Sequence, residues 1–309
     1  MTRLLTVLAT ALPLLAATTP ASATAPGKPH VPAGVTAGYV VFDRQTAKVT
    51  EYRNAHRRFR SASVVKILIA IDRLESHSGV SKKDLALLKV MLRVSDDNAA
   101  TSFWSRGGQG RIIQRMARKL RLTDTAPPPA DKPGFWGYTS LSAMDVVKTY
   151  RYLLDRADPK VSGLILGHLR RAGQCGSDGF DQYFGIPRGV RGPWAVKQGW
   201  SGYGSTPPVR CRPAASPAAR AASAAFTSAS PVPVALGATA PSGVTTAAPA
   251  EAGPVPDLGR PVLHSTGLVG PGERWIMVLL TAHPAGATWQ HSTAQTTKLA
   301  REVHLSGTS

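Results

Sequence analysis

Two residues near the start of the chain bring a nucleophile and a base to helical spacing. Ser63 and Lys66 stand three positions apart in Ser63-Val64-Val65-Lys66-Ile67-Leu68-Ile69-Ala70. On a helix, positions i and i+3 share a face about 5–6 Å apart, so hydroxyl and amine can touch. Residues 63–76 are apolar on nearly every side (Val64, Val65, Ile67, Leu68, Ile69, Ile71, Leu74), and a helix of that kind must be buried. Burial disfavours the charged form of a lysine and makes it a candidate base for the serine. The spacing alone arises about once by chance in a chain of this length and composition. Its weight therefore depends on other residues. Ser95-Asp96-Asp97 falls in a polar break between helical runs, and Lys197-Gln198-Gly199 falls within a β-like run.

The elements that must position these residues follow from periodicity. Residues 37–53 are two β-rich runs about the polar turn Arg44-Gln45-Thr46, which predicts a hairpin. After the helix at 63–76, Ser81 with Asp84 caps a helix over 82–93, where Leu85, Leu88 and Leu92 recur at helical spacing. Further helices are predicted at 99–105, 110–120, 142–154 and 158–171, with a proline-rich loop at 123–138. Strands return at 190–200, 261–269 and 274–283, and an amphipathic helix ends the chain at 288–303. The expected architecture is α/β (α+β): an antiparallel sheet built from both chain ends and covered by helices, with an all-α domain inserted. The sheet domain takes residues 24–62 and 176–305, and the helical domain takes 63–175.

Residues 1–23 have the makings of a cleaved export signal. Arg3 precedes an apolar run at 4–17, and Ala21-Ser22-Ala23 is a small-x-small cleavage site. The run is too short to span a bilayer, and the lack of a following cysteine argues against a lipid anchor. The expected location is secreted, with cleavage after Ala23. The formal net charge of +19 is spread along the chain, with one cluster at His56-Arg57-Arg58-Phe59-Arg60. In an exported protein this suits anionic cell-wall polymers or solubility better than nucleic acid. An exported chain permits Cys175 and Cys211 either to pair or to remain apart. No metal-ligand spacing occurs. Residues 206–257 stand outside the pattern: Ala, Pro, Ser and Thr fill 36 of 52 positions, ten of them proline. Such a stretch buries too little to offset its ordering, and a disordered insertion between two strands is expected.

Ser63-x-x-Lys66 at a helix start, Ser95-Asp96-Asp97 in a loop and Lys197-Gln198-Gly199 on a strand together resemble the S-x-x-K, S-D-N and K-T-G motifs of the serine β-lactamase and penicillin-binding superfamily, in its class A branch. The resemblance extends over the chain apart from the leader and the insertion. It implies a serine hydrolase of β-lactamase/DD-peptidase type, acting on a β-lactam or a peptidoglycan-derived D-alanyl peptide. Ser63 would be the nucleophile, Lys66 its base, and Ser95 the group that passes a proton to the leaving nitrogen. Asp97, Lys197, Gln198 and Gly199 would bind substrate, and the backbone N–H groups of Ser63 and Trp200 would form the oxyanion hole. No cofactor or metal is implied, nor a nucleic-acid partner or membrane span, and a monomer is expected.

The departures from the family pattern bear on the chemistry. Asp97 stands where the family has a carboxamide that touches both substrate and lysine, with Asn98 one residue late. Gln198 replaces threonine, and Ser95 follows Ser63 by 32 residues, a shorter interval than class A enzymes usually have. The family's water-activating glutamate has no counterpart: residues 122–138 hold only Asp124 and Asp131 as acids. Acylation at Ser63 is therefore expected, with slow deacylation. The alternative is a non-catalytic wall-binding or penicillin-binding relative that keeps the fold.

Overall fold

A computed structural model describes residues 27–76, 79–213 and 259–309. The leader at 1–23 and positions 214–257 of the expected insertion lie outside the described residues.

The chain opens with strands β1 (Thr36–Asp43) and β2 (Lys48–Arg53), the predicted hairpin. The short β3 (Phe59–Arg60) and a 3-10 turn (Ala62–Val65) lead into α1 (Lys66–Glu75). Helices α2 (Lys82–Arg93), α3 (Asp97–Arg106) and α4 (Gly110–Leu120) follow. A second 3-10 turn (Trp136–Tyr138) precedes β4 (Ser140–Leu141), which pairs with β3. Then come α5 (Ala143–Asp155), α6 (Pro159–Leu169), α7 (Ile186–Gly189), β5 (Trp194–Ser201), β6 (Val262–Val269), β7 (Trp275–Ala282) and α8 (Trp289–Thr308).

The main sheet runs β2-β1-β7-β6-β5, all antiparallel, so the two chain ends meet in its middle at β1 and β7. Its two-residue period sorts the core into layers. Val40, Phe42, Ile276, Val278 and Leu280 join the larger cluster with α1 and α5. Tyr39, Val41, Met277 and Leu279 face Leu299, Ala300 and Val303 of α8. Helices cover both faces, so β1 and β7 read as nearly continuous apolar runs, while β6 is buried throughout with His264, Ser265 and Thr266 at its centre. The edge strand β2 is exposed and charged, a sequence that discourages pairing with another chain.

The cap expectations were met. Ser81 Oγ accepts from Asp84 N at 3.0 Å, and Ser142 Oγ accepts from Asp145 N at 3.2 Å. Helix α1 is buried from Lys66 through Asp72, and Arg115 of α4 neutralises Asp72 with two contacts of 2.8 Å. The nucleophile stretch differs from expectation in one respect: Ser63 lies in a 3-10 turn, and the α-helix begins only at Lys66. Cys175 and Cys211 form a disulfide, with Cα atoms 5.5 Å apart. Among the described residues no helix is long and apolar enough to cross a membrane.

Candidate active site

The far edge of the sheet, β5, packs against the Ala62–Val65 turn, and glycine makes that approach possible. A Cβ on Gly199 would stand 3.1 Å from Ser63 N, 3.1 Å from Val64 Cγ2 and 3.2 Å from Ser61 O. Most real Cβ contacts are looser, so a side chain there would push the strand off the turn. Two non-glycine residues at this junction take left-handed backbone, Ala62 at φ 43° and Ser95 at φ 59°. Backbone strain of about 1–3 kcal/mol per residue persists where surrounding structure imposes it.

These elements bring all three motifs together. Ser95 Oγ accepts from Lys66 Nζ at 3.2 Å and from Lys197 Nζ at 2.9 Å, so one hydroxyl bridges two buried amines. Lys66 Nζ also donates to Ser95 O and to Asp97 Oδ1, both at 2.6 Å. Lys197 Nζ also donates to Gln198 O at 2.7 Å. Burial pushes both lysines below the ordinary lysine value. For Lys66 the Asp97 carboxylate opposes this, whereas for Lys197 the charge of Lys66 adds to it. Lys197 is thus the more strongly depressed of the pair.

Ser63 is buried at the floor of a cavity of about 120 Å³, lined by Ala62, Ser63, Asp97, Trp136, Gly137, Asp178, Trp200 and Ser201. No described residue hydrogen-bonds the Ser63 hydroxyl. The expected Ser63–Lys66 contact is therefore not made: the carboxylate of Asp97 draws the amine to the other side. Asp97 itself is well exposed, its side chain 69% accessible. A larger cavity of about 900 Å³ lies elsewhere, between the 208–212 segment and α8, and touches none of the three motifs.

Gln198 is not brought to the cavity. Strand alternation carries its side chain to the other side of β5, where Nε2 donates to Phe184 O at 2.5 Å and Gln182 O at 3.2 Å. The long amide reaches backbone carbonyls that a threonine hydroxyl could not, and the expectation of substrate contact by this side chain is corrected accordingly. Asn98 does not line the cavity either.

Where a loop glutamate was sought, the chain supplies an indole. The Trp136 ring lies 4.7 Å from Lys66 Nζ, and its Nε1 donates to Thr101 Oγ1 at 3.1 Å. Asp124 is occupied with His56 at 2.8 Å and Ser142 Oγ at 2.7 Å, and Asp131 pairs with Lys132 at 2.9 Å. Neither lines the cavity.

Asp178 escaped the sequence reading. It accepts from Trp200 Nε1 at 2.9 Å, and partial desolvation together with the Asp97 charge raises its carboxyl group. Its placement beside the disulfide, in the turn Cys175-Gly176-Ser177-Asp178-Gly179, is the one signal that could have drawn attention to it. Among the described residues no three His, Cys, Asp or Glu side chains are placed to hold a metal.

The molecule can now be set beside known proteins. No protein-family profile matches the chain. The solved structure of PBP-A aligns over 88% of this chain and 90% of its own, with a TM-score of 0.56 at 14% identity. The β-lactamase of Streptomyces albus G aligns over 88% and 93%, with a TM-score of 0.55 at 14% identity. A class A β-lactamase of Mycobacterium abscessus gives 0.54 at 15% identity. The fold is that of the class A β-lactamases. At such identities the likeness concerns the fold alone. By sequence, the chain is 38% identical over 175 residues to a candidate lipoprotein, LppW, of Mycobacterium bovis and Mycobacterium tuberculosis. That match covers 54% of each, so the chain spans about half the length of the curated relatives it matches.

Proposed function

We propose that the protein is an exported serine acyl-transfer enzyme of the β-lactamase/DD-peptidase type, acylated at Ser63 by β-lactams or D-alanyl peptides and slow to release the acyl group. The observation that carries the reading is the Lys66–Ser95–Lys197 bridge beside a buried serine that lines an open cavity. Neutral Lys66 takes the Ser63 proton as Oγ attacks the carbonyl. The resulting oxyanion is met by the N–H groups of Ser63 and Trp200, held close by the Gly199 approach. Ser95 gives its proton to the departing nitrogen and is resupplied by the lysines it touches. Water attack on the ester then needs a positioned base, and an indole covers Lys66 in its place.

A variant of PBP-A has been solved as its acyl-enzyme with penicillin G, which shows that a protein of this fold can stop at that stage. The test is intact-mass measurement after incubation with penicillin. A persistent adduct, absent from Ser63→Ala, is expected. Fast turnover without an adduct would overturn the slow-release half of the proposal, and an adduct on Ser63→Ala would remove Ser63.

The ion pair between Lys66 and Asp97 favours the second reading, a wall-binding relative that no longer reacts. A fluorescent penicillin that leaves no label would select it. Export through residues 1–23, the two-domain division at 24–62 with 176–305 against 63–175, and an envelope location like that suggested by the name of LppW belong to the same proposal. Fractionation of cells expressing the full chain tests the location.

A further inference from the structure

The cavity beside Ser63 is lined by acids and indoles rather than by amines. Its two amines lie beneath the surface and are committed: Lys197 to Ser95 Oγ and Gln198 O, Lys66 to Ser95 and Asp97. What the cavity presents are two carboxylates, Asp97 and Asp178, and two indoles, Trp136 and Trp200. The ion pair offsets the charge of Lys66, and Lys197, whose pKa burial and the charge of Lys66 push down, does not line the cavity. The remaining carboxylate, Asp178, is left without a cation within ion-pairing reach among the described residues, and its donors, Trp200 Nε1 at 2.9 Å and Phe180 N at 3.1 Å, are uncharged. Asp178 is also the group whose ionised form is disfavoured where it stands, so an arriving cation would relieve it.

A carboxylate pair alone would be only a pair of surface acids. Two further features make this a site. Ser63 is 6% exposed, has no hydrogen-bond partner among the described residues, and opens onto the same cavity. Indole rings attract ammonium groups through the ring quadrupole, and two of them line the cavity together with the carboxylates. The Nε1 groups of both rings are already engaged, Trp136 with Thr101 and Trp200 with Asp178, which fixes the rings as walls. An acyl donor placed for attack by Ser63 must set its neighbouring substituent against these walls.

We infer that the cavity is a cation subsite, and that the acyl donor attacked by Ser63 carries a protonated amine seated between Asp97 and Asp178 against Trp136 and Trp200. The inference rests on the acyl-serine reading above and narrows its substrate class. It also explains why Asp97 is a carboxylate: an amide N–H or ammonium finds an acceptor there, whereas a carbonyl oxygen is repelled.

The experiment compares two penicillins that differ by one side-chain amine, benzylpenicillin and ampicillin, at about pH 6, where the amine is protonated. The rate of adduct formation at Ser63 is followed by intact mass on the full chain. Ampicillin is expected to acylate about tenfold faster at low salt, the size of one exposed ion pair with one cation–π contact. The preference should shrink as salt screens the pair and fall toward parity in Asp178→Asn. Equal rates, or a faster benzylpenicillin, would overturn the cation subsite while leaving the acyl-serine reading intact. Labelling by neither compound would remove the reading itself. Tryptophan fluorescence then decides the subsite independently, with D-phenylglycinamide and its N-acetylated form as probes. Saturable quenching by the free amine alone, lost in Asp178→Asn, supports it; no difference between the two overturns it.

Discussion

At the scale of single residues, Asp97 sets the balance of the candidate site. Its carboxylate holds the Lys66 proton in place, against the burial that would release it. The neutral amine is the reactive base, so acylation should rise with pH through the Lys66 pKa. Replacing Asp97 with Asn keeps the shape and a hydrogen-bond acceptor but removes the charge that supports the protonated form. The Lys66 pKa then falls, and the rise moves to lower pH. At a pH below that pKa, the neutral fraction grows as the pKa falls. Acylation of Asp97→Asn by benzylpenicillin at neutral pH is therefore expected to be several-fold faster than in the parent, about the size of a partly exposed ion pair, read from stopped-time intact mass at several pH values. A rate that is unchanged or slower at every pH would show that Lys66 is not limited by its partner. This residue was legible in the sequence, because the three motifs fix where a carboxylate replaces a carboxamide. Trp136 over Lys66 was not legible, because the contact depends on the path of a proline-rich loop rather than on any spacing. Gln198 misled for a different reason: its strand position is as read, but a longer amide has partners on the far side of β5 that a motif cannot reveal.

At the scale of elements, the site is an edge-strand junction. The hairpin, the caps at Ser81 and Ser142 and the extents of α2 and α4 were readable because each is decided by local chemistry. That the sheet draws on both chain ends was readable from where the β-like runs fall, whereas the strand order, with β7 between β1 and β6, came only from the structure. The 3-10 turn that carries Ser63 was not, since it is imposed by β5 pressing on residues 61–64. Gly199 is the residue through which that pressure is relieved. Gly199→Ala would insert a methyl 3.1 Å from Ser63 N and force strand and turn apart by a few tenths of an ångström. Misplacement of that order at reacting groups lowers rates steeply, up to about a hundredfold for 1 Å. The expectation is an acylation rate reduced at least about tenfold with a thermal midpoint shifted by only a few degrees. Loss of both together would place the effect in folding, and loss of neither would mean that the close approach does not matter to the reaction.

At the scale of the whole molecule, the Cys175–Cys211 disulfide fastens the chain leaving β5 to the turn that carries Asp178. Cys211 N donates to Gly179 O at 2.7 Å, and Gly176 N donates to Phe180 O at 2.8 Å, so the clasp and the turn are one unit. Trp200 Nε1 ties the same turn to the end of β5 through Asp178. The sequence offered the two cysteines without saying whether they pair, because pairing depends on the return of the chain after β5 and not on their separation of 36 residues. A cross-link over a loop of that length stabilises by about 2–4 kcal/mol, largely through the unfolded chain. Replacing both cysteines with alanine is therefore expected to lower the thermal midpoint by several degrees. The consequences for the site should be uneven. The Lys66–Ser95–Lys197 bridge is held by α1, the turn between α2 and α3, and β5. The disulfide turn touches this frame through Ser177 N, which donates to Val94 O at 2.8 Å, a backbone bond that does not need the cross-link, so labelling of Ser63 should persist. The Asp178 wall loses its clasp, so any preference for an amine-bearing penicillin should weaken while the benzylpenicillin rate changes little. Equal loss of both rates in the folded double variant would show that the disulfide supports the nucleophile as well, and that the two walls of the cavity are mechanically one.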